Sequence, residues 1–361
     1  MADINFERFE STLRILNPFN NFAEEEHRVE VRKDPLLHDT SVYNPFLRDK
    51  AKAFFGRNDE ELIRKLVDET SANCIFCGDS VRTRTARYPE DLIPGGRLEL
   101  GEAVLFANLF ALAPHHPVIV LSKAHFLRPT EITPSHLGDG LSLARRYLQE
   151  ATERDPALSF ATVSANYLQP AGASLVHPHI QMLAATMPYT YHARLLDGVS
   201  SYMVQHGTHY FADLIAEERS RGKRFIGKHG AWNWIAPFSP MGSNEIMAIH
   251  NEESDLGRIT VKDLRDLSDG ITRVLALYEG MGHLSFNFTL YSVKGGETVG
   301  FRCLLKIVNR QNLYPNYRND DYFLQKLLQS ELILNLPEDL AAETRMYFHA
   351  GEAKGIEQES P

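Results

Sequence analysis

LSFATVSANYLQPAGASLVHPHIQMLA (Leu158–Ala184) reads as two strands joined by a tight turn. Leu158–Leu168 and Ser174–Ala184 are rich in apolar and β-branched residues, and the Gln-Pro-Ala-Gly between them is turn chemistry. In His177-Pro178-His179-Ile180-Gln181 alternate side chains share a face, so His177, His179 and Gln181 line up about 7 Å apart. Val176, Pro178, Ile180 and Met182 turn the other way, to a core. Pro178 lacks a ladder donor, which places this strand at a sheet edge.

Upstream, EAVLFANLFAL (Glu102–Leu112) and PVIVLS (Pro117–Ser122) predict buried strands around a Pro-His-His-Pro turn. Thr133-Pro134-Ser135 then caps a helix whose apolar stripe, Leu137 to Leu148, runs down to about Arg154. The same order returns at an offset of about 126 positions: strands Ala231–Phe238 and Asn244–His250, a helix from Thr260 to Gly280, strands Leu284–Ser292 and Val299–Val308. The expected fold is α+β, a duplicated unit in which an antiparallel sheet is packed by a long helix. The organisation that follows is an N-terminal extension (1–70), a first half (71–190), a helical connection (191–229), a second half (230–345) closing with a helix from Tyr322 to Leu334, and a disordered tail (346–361).

A chain of 361 residues exceeds what one small core needs, in keeping with two core-forming halves. A net charge of -9 argues against a nucleic-acid backbone binder, which needs a basic surface. No apolar run approaches membrane-spanning length, and the acidic opening MADINFERFESTLRIL lacks a signal core, so a cytoplasmic location is expected.

The histidine strand carries chemistry if one imidazole attacks phosphorus while its second ring nitrogen, held by a hydrogen bond, supports the charge formed. His179 is placed for this role, with the Ala171–Ser174 turn offering backbone N–H groups and a hydroxyl to phosphate oxygens. Gln181 adds an uncharged amide donor and no proton-shuttling acid, which favours storing an intermediate over hydrolysing it. Two histidines flanking a proline are equally compatible with satisfied core or surface residues.

Cys74-Ile75-Phe76-Cys77 has the spacing of a metal or redox pair. With three cysteines in the chain a four-cysteine site is excluded, so histidines must complete a tetrahedral set, from among His115, His116, His125, His177 and His179. His125, in LSKAHF just beyond a predicted strand, is well presented. A redox pair or two incidental buried thiols are the non-metal readings.

These residues resemble the galactose-1-phosphate uridylyltransferase family, the nucleotidyltransferase branch of the histidine-triad (HIT) superfamily, which also includes nucleotide and nucleotide-sugar phosphorylases. The match is gapless over ANYLQPAGASLVHPHIQ (Ala165–Gln181), with support from CIFCGD, FANLFAL and VIVLSKAHF. The resemblance implies His179 as nucleophile, Gln181 in place of the last histidine of hydrolytic triads, and one structural Zn2+ per chain on Cys74, Cys77, His125 and His177. It implies nucleotide and phosphate contacts by Asn108, Asn166, Gly172 and Ser174, with Arg48 matching a phosphate-contacting arginine across a gap. It implies a ping-pong transfer from a nucleotide sugar to a sugar phosphate in a homodimer; inorganic phosphate as acceptor, or a zinc-stabilised nucleotide-binding protein without chemistry, are the alternatives.

The chain departs from the family where FNFTLYS and GFRCLLKIV lack the histidines of a second metal site, where Leu109 replaces an aspartate, and where Asp321 and Lys326 align with sugar-site residues. Galactose 1-phosphate is therefore not implied as substrate.

Overall fold

A computed structural model describes residues 2–48, 54–295 and 299–355. From the N terminus run β1 (Arg8–Asn17), β2 (Ala23–Lys33), β3 (Thr40–Tyr43) and α1 (Glu60–Ser71). The first repeat follows as β4 (Leu98–Leu100), β5 (Ala103–Ala107), β6 (Pro117–Val120), α2 (Pro134–Arg154), β7 (Phe160–Tyr167) and β8 (His179–Ala185). Two helices, α3 (Thr190–His206) and α4 (Tyr210–Arg221), lead to the second repeat: β9 (Phe225–His229), β10 (Trp232–Ile235), β11 (Ile246–His250), α5 (Val261–Gly280), β12 (Phe286–Val293) and β13 (Leu304–Asn309). β14 (Ser330–Ile333) and α6 (Pro337–Gly355) close the described chain.

The expected α+β duplication is present. Among the described residues one sheet has ten strands in the order β4-β5-β6-β8-β7-β12-β13-β11-β10-β9, so the second repeat mirrors the first about the β7–β12 seam. That seam is antiparallel and fully paired from Phe286 opposite Tyr167 to Val293 opposite Phe160. The first long helix begins behind its expected cap, the hydroxyl of Thr133 accepting from the His136 N–H, and the second, expected from Thr260, begins at Val261 with the Thr260 hydroxyl as its cap, accepting from the Asp263 N–H. Leu137, Leu141 and Ala144 of α2 bury against Leu105, Ile119, Ile180 and Met182, one face of the sheet, and Leu267, Ile271 and Val274 of α5 join the same core. α5 reaches that depth because Gly270 meets the Trp234 ring, where a Cβ would lie 2.0 Å from a ring carbon.

The opposite face is covered differently in the two halves. Over the second half, Ile235, Met247, Ile249 and Leu304 pack with Leu195, Val199, Phe211 and Leu214 of α3 and α4. Over the first half, among the described residues, Val104, Phe106, Val118 and Val120 pack instead with Phe76 and Val81, from the turn carrying the cysteine pair, and no long helix joins that cluster.

Three expectations are corrected. The histidine strand is internal, with β8 paired to both β6 and β7; Pro178 precedes its first ladder residue, so no donor is missed, and its carbonyl accepts from the Leu121 N–H at 3.0 Å. The strand expected to run to Leu112 stops at Ala107, leaving Leu109, Phe110 and Leu112 exposed in a loop. The helix expected from Tyr322 to Leu334 is one turn, Phe323–Lys326, followed by β14, which pairs in parallel with β3. A fourth is the tail expected to be disordered from 346 on: Met346–Gly355 belongs to α6, and 356–361 lie outside the described residues.

Candidate active site and metal centre

Cys74, Cys77, His125 and His177 converge: their donor atoms all lie within 4.8 Å of one another. The His177 Nδ1 is 3.6 Å from the Cys74 Sγ and 3.4 Å from the Cys77 Sγ, and the His125 Nδ1 is 3.3 Å from the Cys77 Sγ. A tetrahedral ion bonded at about 2.3 Å to sulfur and about 2.0 Å to nitrogen sets S···N separations near 3.5 Å. The histidine tautomers fit as well. His177 Nε2–H donates to the Ser122 carbonyl at 2.7 Å, and His125 Nε2–H donates at 2.9 Å to the Thr70 hydroxyl, which itself donates to the Leu66 carbonyl. Each ring is thereby left with an Nδ1 lone pair facing the sulfurs, the arrangement that metal-bound histidines adopt. Burial and the neighbouring Cys74 push the Cys77 thiol up to about 11. The residues can hold a metal. His115 and His116 are not in the set: His115 Nδ1 pairs with the Tyr147 hydroxyl at 2.9 Å, and His116 turns to Gln181.

His179, two residues beyond His177, is buried beside the Phe76 ring, 5.4 Å between centroids. Its Nδ1 lies 2.8 Å from the His177 carbonyl oxygen. A carbonyl only accepts, so Nδ1 carries the proton and Nε2 keeps a lone pair. Burial holds the imidazole below its ordinary range, partly offset by the His177 carbonyl, so the ring is neutral at pH 7.

Gln181 is oriented by two partners. The Leu112 N–H donates to His116 Nδ1 at 2.9 Å, which puts the imidazole proton on Nε2, and Nε2–H donates to the Gln181 Oε1 at 2.8 Å. The Asn108 amide donates to the same oxygen at 3.2 Å. With its oxygen taken, Gln181 presents its NH2 away from them. Asn108 therefore acts here on Gln181, and its own Oδ1 accepts from the Phe110 N–H.

Ser164 pairs with Gln181 across β7 and β8, and Asn166 lies two residues further along β7 on the same face. Its Oδ1 accepts from Asn287 Nδ2 at 2.7 Å, and Asn287 also donates to the Ala165 and Ala171 carbonyls at 3.2 and 3.0 Å. Arg310 Nη1 in turn donates to the Asn287 Oδ1 at 2.7 Å, while its Nε and Nη2 grip Asp320 at 2.8 and 2.6 Å. The second half thus fixes Asn166 and the turn after β7 through Asp320, Arg310 and Asn287. None of these three, nor the His116–Gln181 bond, was read from the sequence; the polar Asn287 inside the apolar run FNFTLYS was the available signal.

The turn differs from expectation. The N–H groups of Ala171, Gly172 and Ala173 are spent within it, on the carbonyls of Leu168, Gln169 and Leu168. Gly172, at φ +84°, and Ser174 are exposed, leaving the Ser174 hydroxyl facing solvent. Arg48 ends the short helix Pro45–Arg48, 3.2 Å from Asp339 and on the wall of a cavity shared with Phe55, Arg128 and His283. Asp321 and Lys326 pair with each other at 2.7 Å. At the positions of the second repeat that correspond to the histidine strand, Cys303, Leu305 and Ile307 are fully buried core. No helix is long and apolar enough to cross a membrane among the described residues.

No protein-family model matches the chain. An uncharacterized protein of Archaeoglobus fulgidus is 29% identical over 323 residues, 89% of this chain and 93% of that protein. ADP-glucose phosphorylase of Arabidopsis thaliana is 28% identical over 252 residues, 64% of this chain and 68% of that protein. Among solved structures, an Arabidopsis thaliana ADP-glucose phosphorylase with ADP-glucose bound superposes with a TM-score of 0.65 at 19% identity, over 88% of this chain and 98% of that one. A uridylyltransferase superposes with a TM-score of 0.60 at 15% identity, over 70% and 86%. The resemblance carried by the histidine strand therefore holds: the chain has the fold of ADP-glucose phosphorylase and of uridylyltransferase, and its sequence is similar to the former.

Proposed function

We propose that this chain is a nucleotidyltransferase that moves a nucleoside monophosphate from a nucleotide sugar to a phosphate-bearing acceptor through a covalent bond to His179. The observation that carries this is the tautomer of His179: a buried, neutral imidazole whose Nδ1–H is committed to a carbonyl and whose Nε2 lone pair is free. In the first step Nε2 bonds to the α-phosphorus and the bond from that phosphorus to the bridging oxygen breaks, releasing a sugar 1-phosphate. The positive charge left on the ring is supported by the His177 carbonyl. The Gln181 NH2, aimed by His116 and Asn108, donates to a phosphoryl oxygen. In the second step a phosphate oxygen of the acceptor bonds to phosphorus and the P–N bond breaks, returning His179. Asn166 and Ser174 hold the nucleotide and its phosphates on the face that no long helix covers.

The Cys74, Cys77, His125 and His177 cluster fits zinc in ligand type and number. Zinc there is structural, tying His177, two residues before the catalytic histidine, to the turn that carries the cysteines and Phe76.

For the acceptor, a sugar phosphate is one reading. Inorganic phosphate is the second, favoured by the similarity to ADP-glucose phosphorylase. Isotope exchange tests the scheme: labelled glucose 1-phosphate is expected to enter ADP-glucose or UDP-glucose with no second acceptor present. Phosphate is the acceptor if it alone then releases a nucleoside diphosphate. Absence of exchange with adenine, uracil and guanine donors would point instead to a nucleotide-binding protein without catalysis.

A further inference from the structure

Away from the catalytic strand, a cavity of about 490 Å3 opens between the N-terminal ribbon, the end of α4 and the start of α6. Five cationic side chains line it, Arg8, Arg32, Arg221, Lys223 and Arg224, against two carboxylates, Glu30 and Glu338. This local excess of positive charge sits in a chain whose net charge is -9. Phe238, on another wall, follows β10, which lies five strands from β8 in the sheet, about 24 Å, so the cavity is separate from His179.

Two of the arginines are built in. Arg32 and Arg224 are each 4% exposed, and their Nη1 groups share the Glu338 Oε1 at 3.0 and 2.9 Å. Arg32 Nε donates to Glu30 at 2.7 Å and Arg224 Nε to Glu218 at 2.9 Å. Both guanidinium groups lie over the Phe238 ring, 4.8 and 5.0 Å from its centroid, and Arg224 and Arg221 lie over Phe6 at 4.3 and 4.8 Å. A guanidinium laid on a ring keeps its N–H donors along its edge. The carboxylates do not use all of these donors. Among the described residues Arg32 Nη2 and Lys223 have no partner, Arg221 commits Nε alone, to Glu217, and Arg8 approaches Glu30 only to 3.9 Å. A cleft lined by one sign of charge, with apolar walls, concentrates its field on what enters.

We propose that this cavity binds a small phosphate-bearing molecule, of the class of sugar phosphates and mononucleotides, at a site distinct from the catalytic face. Guanidinium edges match phosphate oxygens two at a time, and Lys223 adds a compact charge on a flexible stem. The spare donors of four cations suit a dianion better than a single carboxylate. The volume is that of a small-molecule site. Its walls come from the N-terminal extension, the second repeat and α6, so an occupant ties the ribbon to the rest of the chain.

Hydrogen exchange read by mass spectrometry on the full chain tests this, because it locates what is protected. Inorganic phosphate, glucose 1-phosphate and AMP, added separately, are each expected to protect the peptides holding Phe6–Arg8 and Arg221–Arg224, and the one acting at the lowest concentration identifies the ligand. Sodium chloride at the same ionic strength is expected to protect neither. Arg221→Glu with Lys223→Glu should raise the concentration needed at least about tenfold, while protection around Ala171–Gln181 and nucleotidyl transfer stay as in the wild type. Arg64→Glu with Lys65→Glu, the same change of charge at exposed positions of α1, should leave all of these unchanged. No protection of the two segments by any of the three, equal protection by chloride, or protection that survives Arg221→Glu with Lys223→Glu would each overturn the proposal.

Discussion

Asn287→Asp isolates the link between the two halves, because it keeps shape and changes one group. The side-chain oxygen that accepts from Arg310 at 2.7 Å remains, now charged. The NH2 that donates to Asn166 Oδ1 and to the carbonyls of Ala165 and Ala171 becomes an oxygen facing three oxygens. The Ala171 carbonyl, at 3.0 Å, loses a half-buried partner, and one such loss costs about 1–3 kcal/mol. Asn166 can rotate its amide to donate to the new carboxylate, but then its NH2 turns away from the proposed nucleotide site. A loss of about 2 kcal/mol in unfolding free energy is expected, together with a fall of about 10- to 100-fold in nucleotidyl transfer, an activation cost of about 1.4–2.8 kcal/mol. Urea denaturation and single-turnover transfer measure the two effects on the same protein. Wild-type stability with wild-type transfer would refute the reasoning; lost stability with wild-type transfer would show that Asn287 serves packing alone.

Two further outcomes are expected. Elemental analysis of protein purified without chelator should find one zinc per chain, and Cys74→Ser with Cys77→Ser should abolish it and lower the melting temperature; metal-free wild type of unchanged stability would remove zinc from the account. His192, buried among Phe160, Tyr291 and Phe301 with neither ring nitrogen partnered, is pushed down to about 4 by burial. Its folded pKa lies below its unfolded one, so the unfolded chain takes up its proton first and stability is lost as pH falls from 6.5 towards 4. The loss is on the order of 3 kcal/mol. His192→Phe should flatten the stability profile over that window, and an unchanged acid slope would show that His192 does not govern it.

The sequence carried the local signals well. Thr133 and Thr260 capped the long helices as their spacing required, and the constant offset between repeats followed from element lengths that packing against one sheet preserves. The spacing of the cysteine pair pointed to a metal and left five histidines as partners; the resemblance to the uridylyltransferase family singled out His125 and His177. What failed was set by distant partners. FLQKLLQSELILNL has a helical stripe, yet Leu327 and Leu328 are exposed and Ser330–Ile333 is claimed by β3, some 290 positions earlier in the chain. Pro178 signalled an edge, but sitting just before the ladder it needs no edge. His116 was weighed as a metal ligand because spacing cannot show that a neighbouring amide N–H fixes its tautomer toward Gln181. Asn287 stayed unseen because its targets lie in the other repeat, and Arg310 because it reaches that repeat only through Asn287.

The most direct test of the central claim is the intact mass of the wild type and of His179→Ala after incubation with ADP-, UDP- and GDP-sugars separately. The wild type should gain one nucleoside monophosphate from its preferred donor, lost again in acid, and His179→Ala should gain none. An adduct that persists in His179→Ala, or none on the wild type with any donor, would contradict it.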